Sequence, residues 1–256
     1  MALDVDRLCF ARGSQEILDE ISFAAKPGEI TVILGPNGVG KTTLLKCLNR
    51  ILAPSKGEVR IKGRDTGRMA PRQIARHIAY VAQQSETAHI TAFDAILLGR
   101  KPHMGMRPRP EDLEKVDAVI THLGLEDLSL KPLTRMSGGE LQKVCIARAL
   151  AQETDILLMD EPTASLDLKN EMRILSLIRH IVEDHHMAAV ITMHDLNAAL
   201  RYGHRFLFLK DGRLHATGAI HEVTPAMISE VYGMNVEILH HNGLPLVVPV
   251  DETRAA

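Results

Sequence analysis

Tryptophan is absent from this chain of 256 residues, aromatic residues make up 3% of it, and it contains three cysteines. Cys9, Cys47 and Cys145 form no C-x-x-C pair, so we expect buried reduced thiols rather than a zinc or redox site. No apolar run approaches the roughly 18 residues of a membrane span. The N-terminus, MALDVDRL, lacks the basic-then-apolar layout of a signal peptide. We therefore expect a soluble, cytoplasmic chain.

An excess of charge of one sign is also missing, because 30 lysines and arginines stand against 32 aspartates and glutamates. This balance gives no reason to expect a nucleic-acid partner. Histidine is plentiful at 13, with doublets at residues 185–186 and 240–241. Doublets in polar surroundings are typical of solvated surface, although they also raise the question of a metal. The length suits one large domain or two small ones.

The chain does contain one stretch around which the rest is organised, EITVILGPNGVGKTTLLKCL at residues 29–48. It reads as a buried strand, a glycine-bearing turn and an amphipathic helix, and the turn matches the phosphate-binding pattern G-x-x-x-x-G-K-[ST]. A triphosphate needs converging backbone N–H groups, which the glycines permit and the helix N-terminus supplements. The candidate nucleotide-binding residues of this stretch are Gly35, Pro36, Asn37, Gly38, Val39, Gly40, Lys41, Thr42 and Thr43.

Two further residue types suit the chemistry of a triphosphate. Lys41 supplies a mobile charge for the terminal phosphates, and the Thr42 hydroxyl is suited to coordinating Mg²⁺. The apolar run DILLMD at residues 155–160 predicts a parallel strand that ends in Asp160 and Glu161. Asp160 suits holding Mg²⁺ through its water shell, and Glu161 can polarise an attacking water. An acidic pair before a proline can also simply start a helix, but the phosphate loop upstream favours the catalytic interpretation.

The residues SGGE at 137–140 form a capping box that opens a helix running to Leu150. The box accounts for Ser137 and Glu140. It does not account for Gly138 and Gly139, since each glycine in a helical turn costs roughly 1 kcal/mol. That cost is understandable if a second phosphate must approach this helix N-terminus closely.

Strands that alternate with helices predict an α/β fold with a mainly parallel sheet around a phosphate-loop ATPase core. Three short strands near the N-terminus predict a small antiparallel β subdomain. Residues 89–152, with a helix at 111–123 that carries Leu113 and Val116 on its apolar face, predict an inserted helical subdomain. A helix is expected at residues 172–182, a strand at 188–193 (AAVITM) and a hairpin about Asp211–Gly212.

We treat residues 1–256 as a single domain. Its parts are a nucleotide-binding core with the β subdomain (1–88 and 153–220), the helical subdomain (89–152) and a C-terminal extension (221–256). The extension is expected to form a hairpin about Asn242–Gly243. We assign no chemistry to it.

The chain resembles the ATP-binding subunits of ABC transporters over residues 3–217. The resemblance rests on the order of six motifs: GPNGVGKT, YVAQ at 80–83, MSGGE, ILLMDEP, Ser165–Leu166–Asp167 and His194. MSGGE is the most diagnostic of them, because other phosphate-loop ATPases lack it. The resemblance implies an ATP hydrolase that acts as a homodimer and drives integral membrane permease subunits, at the cytoplasmic face of the cell membrane.

The resemblance also implies roles for individual residues. Gln83 would touch Mg²⁺ and signal to the membrane subunit, and His194 would contact the γ-phosphate as a catalytic residue beside Glu161. Ser137, Gly138 and Gly139 would embrace the γ-phosphate bound to the opposite protomer, and Asp167 would bridge the two protomers. From the residues alone, His194 after an apolar strand is better explained as a packed or capping histidine.

The first hairpin departs from the family pattern. The family usually has an aromatic residue that stacks on adenine where this chain has Arg12 before Gly13. An arginine can stack through its guanidinium plane. The adenine contact is therefore left open between Arg12 and Phe10.

Within the family, the chain looks like the importers of iron–siderophore complexes, haem and cobalamin, which implies an extracytoplasmic substrate-binding protein as an indirect partner. The features behind this are GRKPHMGMRPRP with the helix after it, PLTRMSGGELQKV, and MHDLNAALRYGHR. The basic stretch at residues 100–109 is either a docking surface or a solvated or phosphate-contacting face. The alternative class is a soluble ABC-type ATPase without a permease, such as an iron–sulfur assembly ATPase.

Overall fold

The computed structural model describes residues 1–83, 89–164 and 166–250. In these ranges the strands are β1 (Leu3–Arg12), β2 (Gln15–Ala25), β3 (Ile30–Leu34), β4 (Lys56–Ile61), β5 (Arg64–Asp65), β6 (Ile78–Val81), β7 (Ile156–Asp160), β8 (Ala188–Thr192), β9 (Arg205–Lys210), β10 (Arg213–Ala219), β11 (Val236–His241) and β12 (Leu244–Pro249). The α-helices are α1 (Lys41–Leu48), α2 (Pro71–Ile74), α3 (Ala92–Leu98), α4 (Pro110–His122), α5 (Gly138–Ala151), α6 (Leu168–Asp184), α7 (Leu196–Tyr202) and α8 (Pro225–Tyr232).

The central sheet has six strands in the order β10-β9-β3-β8-β7-β6. All its neighbours pair in parallel except β10, which pairs antiparallel with β9. Every residue of β3, β7 and β8 is buried, as expected of parallel strands covered on both faces. The predicted α/β fold class is therefore confirmed. The carboxyl ends of β3, β7 and β8 meet at one edge, which is where ligands bind in such sheets.

Each face of the central sheet has its own apolar core. Side chains alternate between the two faces along a strand, so Ile33 belongs to one core while Val32 and Leu34 belong to the other. The Ile33 side is covered by α1 and by a four-stranded sheet in the order β2-β1-β4-β5. This sheet is antiparallel throughout, which confirms the predicted β subdomain. The opposite side is covered by α5 to α8 and by the C-terminal hairpin.

The helices α3, α4 and α5 share a third apolar cluster. In α4 the cluster takes Val116 and Ile120, but Leu113 is 37% exposed, so its predicted place on the buried face is wrong. Asp112 is buried instead, because it pairs with Arg100. The subdomain boundaries stay a prediction.

The basic stretch after α3 is not one uniform surface. Arg100 is 3% exposed, so neither a solvated nor a docking role fits it. Its guanidinium lies 3.2 Å from Asp112 Oδ1 and donates to the Ala151 carbonyl at 2.7 Å and to Glu153 Oε2 at 2.8 Å. These bonds join the end of α3 to the ends of α4 and α5. Lys101, Arg107 and Arg109 are exposed, as the prediction required.

The predicted hairpins, buried cysteines and exposed histidine doublets agree with the structure. Both predicted hairpins form, and their two turn residues have positive φ in each case, 49° and 75° at Asp211–Gly212 and 50° and 78° at Asn242–Gly243. The three cysteines are buried and form no disulfide within the described ranges, and both histidine doublets are exposed. Within the described ranges, no helix is both long and apolar enough to cross a bilayer.

Candidate functional site

The phosphate loop joins β3 to α1, and its glycines are required for different reasons. A Cβ on Gly35 would lie 2.5 Å from the Leu209 carbonyl oxygen, and one on Gly40 would lie 2.8 Å from a methyl group of Leu18. The chain's own packing therefore requires glycine at these two positions. Gly38 has a φ of 79° and faces open space. Of these three glycines, only Gly38 has open space where a side chain would stand, and that space is part of the cleft.

A cleft of about 680 Å³ opens in front of this loop, a volume typical of small-molecule sites. It brings together the phosphate loop, the turn between β1 and β2, the turn between β9 and β10, and Glu161. Its lining residues are Arg12, Gln15, Glu16, Ile17, Pro36, Asn37, Gly38, Val39, Gly40, Lys41, Thr42, Thr43, Glu161, Lys210, Asp211, Gly212 and Val231.

Lys41 is folded onto its own loop. Its ammonium donates to the carbonyls of Gly35 at 2.8 Å and Pro36 at 3.1 Å, and the residue is 6% exposed. Burial lowers the pKa of Lys41, while the nearby Glu161 and Asp160 act in the opposite direction. The phosphates of a nucleotide can replace these carbonyls as acceptors, with a stronger charge-assisted bond.

Asp160 is held at the edge of the sheet by two hydroxyls. Its Oδ1 accepts from Thr42 Oγ1 at 3.0 Å and from Thr192 Oγ1 at 2.8 Å, and the residue is 2% exposed. The Thr192 hydroxyl also accepts from the Glu161 N–H at 2.8 Å. Thr192 was missed by sequence reasoning. The only signal was a polar residue near the end of the apolar run AAVITM.

The predicted magnesium ligands fit the ion by their chemistry. Thr42, Asp160 and Gln83 carry oxygen donors, which Mg²⁺ prefers. Among the described residues, no three histidines, cysteines, aspartates or glutamates are grouped so as to hold a metal. Mg²⁺ does not require such a group, because one or two carboxylates together with substrate phosphates usually hold it.

Glu161 follows β7 and lines the cleft. Its Oε2 accepts from the side-chain amide of Gln83 at 2.8 Å, so the structure brings these two predicted residues together. Its φ is 43°, a conformation that a side chain rarely adopts and that is found repeatedly at active sites. The catalytic role itself stays a prediction.

Two other predicted residues are exposed and do not line this cleft. His194 follows β8 at the same sheet edge. Asp167 caps α6 by accepting from the Asn170 backbone N–H at 2.8 Å, which is why the helix begins four residues earlier than the predicted start at 172. Ser165 lies outside the described residues.

The predicted capping box at the start of α5 is confirmed. Ser137 Oγ accepts from the Glu140 N–H at 3.3 Å, and Glu140 Oε2 accepts from the Ser137 N–H at 2.8 Å. Hydrogen bonds to Glu140 lower its pKa to about 2, and the bond from the Lys131 ammonium has a larger effect than the bond from the Ser137 N–H. Ser137 and Gly138 are exposed, and neither they nor Gly139 line the cleft of their own chain.

Gly139 also lies close to a side chain of α6 in the same chain. A Cβ on it would lie 3.2 Å from the Asn170 side chain, which itself donates to Asp167. A side chain at position 139 would therefore require the Asn170 side chain to shift by a few tenths of an ångström. The start of α5 is linked in this way to the cap of α6.

The open choice for the adenine contact is decided against Phe10, which is 8% exposed and belongs to the core under the β subdomain. It cannot stack on a base without leaving that core. Arg12 is exposed and lines the cleft.

The C-terminal extension contacts the site, which sequence reasoning missed. The Gly35 N–H donates to Tyr232 Oη at 3.0 Å, and Val231 lines the cleft. A lone tyrosine in a short helix carries no signal of such a contact.

The comparisons with known proteins agree with one another. The ABC transporter family matches residues 18–164, which is more than half of the chain. An uncharacterised ABC transporter ATP-binding protein of Methanocaldococcus jannaschii is 46% identical over 250 residues, covering 98% of each chain. A siderophore transport system ATP-binding protein of Bacillus subtilis is 35% identical, covering 97% of this chain and 92% of its own. Among solved structures, a chain of an inward-facing transporter described as the metal-chelate type has a TM-score of 0.85, with 27% identity and 98% of each chain covered.

Proposed function

Because this chain belongs to the ABC transporter family, we propose that it is the ATP-hydrolysing subunit of an importer for an iron–siderophore complex, haem or cobalamin. Support for the cargo class comes from relatives named as siderophore, hemin and cobalamin import ATP-binding proteins. The cargo itself would pass through a separate membrane permease. The chain would not bind the cargo, and it would supply only the energy of ATP hydrolysis.

The proposed chemistry assigns one task to each group at the sheet edge. The phosphate loop binds the triphosphate, with Lys41 moving from its loop carbonyls to the terminal phosphates. Thr42, Asp160 and Gln83 would hold Mg²⁺, which neutralises charge on the phosphates when it is bound. Glu161 orients and deprotonates the attacking water, and His194 contacts the γ-phosphate.

The observation that carries the proposal is the position of the SGGE helix start. Ser137 and Gly138 are exposed at the N-terminus of the 14-residue helix α5, yet they lie outside the cleft that the phosphate loop forms in the same chain. An exposed helix N-terminus of this kind suits a phosphate presented by another molecule. A second copy of the chain would supply it, so that each of two sites uses the loop of one protomer and residues 137–139 of the other. Asp167 would lie at the contact between the protomers.

A homodimer of this kind would sit at the cytoplasmic face of the membrane as a peripheral assembly. It would bind permease subunits directly and an extracytoplasmic substrate-binding protein only through them. For the permease contact we propose the exposed part of the basic stretch, Lys101 and residues 105–109, where Met106 is fully exposed and Arg107 lies beside it. An exposed methionine among cations suits an adaptable, partly apolar contact.

Affinity purification from detergent-solubilised membranes of the native cells tests this function. We expect the tagged chain to retain an integral membrane protein, and we expect Met106→Asp to lose it. Met234→Asp serves as the matched control, because Met234 is also exposed but lies in the C-terminal extension. Recovery of a soluble scaffold protein without any membrane protein would contradict the importer and favour the iron–sulfur assembly class.

A further inference from the structure

The C-terminal extension is anchored on two elements that carry site residues. Tyr232, the last residue of α8, reaches the phosphate loop. In the hairpin that follows, the Val247 N–H donates to Asn197 Oδ1 at 2.7 Å, and the Asn197 amide donates back to the Val247 carbonyl at 3.3 Å. Asn197 lies in α7, three residues after His194. The extension therefore spans from the first residue of the phosphate loop to the segment after β8.

The apolar side chains of the extension fix its position. Ile228, Val231, Val236 and Val247 are all buried in the same core as the central sheet. Tyr232 is partly buried and packs against that core. Its hydroxyl is thus delivered to Gly35 by a packed element and not by a mobile tail.

Gly35 is held from several directions. The residue is buried, a Cβ on it would collide with the Leu209 carbonyl, and its own carbonyl accepts from Lys41. Its N–H donates to Tyr232 Oη, and neither Gly35 nor Tyr232 lines the cleft. The Tyr232 hydroxyl thus sits at the junction between β3 and the loop, where a small rotation would displace every N–H group that follows.

We propose that Tyr232 is a positioning residue for the ATP site, whose hydroxyl locks the first peptide of the phosphate loop in its binding conformation. The proposal rests on ATP binding by this chain and not on the cargo or the permease. It gives the extension a part in the ATPase reaction.

The physical reason is the cost of leaving a buried donor without an acceptor. Without the hydroxyl, the Gly35 N–H loses its partner, and the empty loop relaxes into conformations that expose this group to water. ATP must then select the ordered loop from that ensemble, which weakens its apparent affinity. Once ATP is bound, its phosphates hold the loop, so the chemical step is unchanged. Burial raises the pKa of Tyr232 to about 12, so the phenol stays neutral and the effect should not vary with pH near neutrality.

The test is Tyr232→Phe in the full chain, which keeps the ring and removes only the hydroxyl. We expect the Kd for ATP to rise about 5- to 30-fold while kcat at saturating ATP stays within about twofold. Hydrogen exchange of the phosphate-loop peptide without nucleotide should become faster, and ATP should restore its protection.

Tyr202→Phe is the matched control, because its hydroxyl donates to the Met172 carbonyl at 3.4 Å, away from the loop. It should leave the Kd for ATP and the exchange of the loop peptide unchanged. An unchanged Kd in Tyr232→Phe, or a fall in kcat with an unchanged Kd, would overturn the proposal. Neither result depends on a membrane partner, so the importer function is judged separately by the purification experiment.

Discussion

Glu161 combines the features expected of a catalytic base: it lines the cleft, has a positive φ and accepts a hydrogen bond from Gln83. Glu161→Gln should leave ATP binding intact and lower turnover by about a hundredfold or more, because an amide cannot take the proton of the attacking water. Steady-state hydrolysis and nucleotide titration measure the two quantities. Glu114→Gln on the exposed face of α4 is the control, and wild-type turnover in Glu161→Gln would remove Glu161 from this role.

Thr192 tests whether the strained conformation of Glu161 depends on its neighbour. Its hydroxyl donates to Asp160 and accepts from the Glu161 N–H. Thr192→Val removes both bonds, so we expect about 1–3 kcal/mol less stability and a turnover lowered about tenfold as Glu161 relaxes. Denaturant unfolding and hydrolysis assays follow the two effects.

Thr192→Ser is the matched variant, since it keeps the hydroxyl and loses one methyl group. It should retain most of the turnover. If Thr192→Val retains wild-type turnover while Thr192→Ser loses it, the methyl group and not the hydroxyl matters, and the role given to the Thr192 hydroxyl is wrong.

At the residue scale, the role of a residue can be predicted from the sequence when that residue belongs to a contiguous motif. The phosphate loop and the pair Asp160–Glu161 are of this kind, and the structure brings all of them to one sheet edge. Thr192 and Tyr232 were not predictable, because their roles arise from partners about thirty and two hundred residues away in the chain. The adenine contact was left open between Arg12 and Phe10, since a strand's alternation does not say which face the core covers.

At the scale of elements, one buried cation holds three helix ends together. The side chains of Arg100 and Asp112 are 4% and 7% exposed. Arg100→Met should lower the free energy of unfolding by about 3–5 kcal/mol, because it leaves the Asp112 carboxylate buried without a countercharge. Arg107→Met, at an exposed position, should change stability by no more than about 0.5 kcal/mol. Both are measured by urea unfolding.

A double variant separates the ion pair with Asp112 from the other bonds of Arg100. Asp112 Oδ2 also accepts from the Arg109 N–H as the cap of α4, and an asparagine oxygen can keep that bond. Arg100→Met with Asp112→Asn should therefore recover a large part of the loss. A double variant no more stable than Arg100→Met alone would show that the bonds of Arg100 to the Ala151 carbonyl and Glu153, and not its pairing with Asp112, are what matters.

The elements themselves follow from local signals wherever one signal dominates. The apolar runs of β3, β7 and β8 and the two Asx-Gly hairpins are predicted correctly for this reason. The start of α6 was placed too late, because the cap at Asp167 lies before the first apolar turn. Leu113 was placed inside since helical periodicity alone does not reveal that Arg100 draws Asp112 inward.

At the scale of the whole molecule, the groups proposed to act on one triphosphate are divided between two places. The phosphate loop, Arg12 and Glu161 line one open cleft, whereas Ser137 and Gly138 are exposed elsewhere on the surface. The proposed symmetric pair of chains, in which each would contribute the part that the other lacks, would resolve this division.

Mixing two inactive variants tests the shared site directly. Lys41→Ala removes the phosphate-loop charge and Ser137→Arg blocks the helix start, so each should be inactive alone. A dimer containing one of each has one intact site, and an equal mixture should recover about a quarter of wild-type hydrolysis if dimers assort randomly and the sites act independently. Lys41→Ala mixed with Glu161→Gln is the matched control, because both lesions lie in the same half and no intact site can form. Recovery in that control, or none in the first mixture when cross-linking shows mixed dimers, would contradict a site built from two chains.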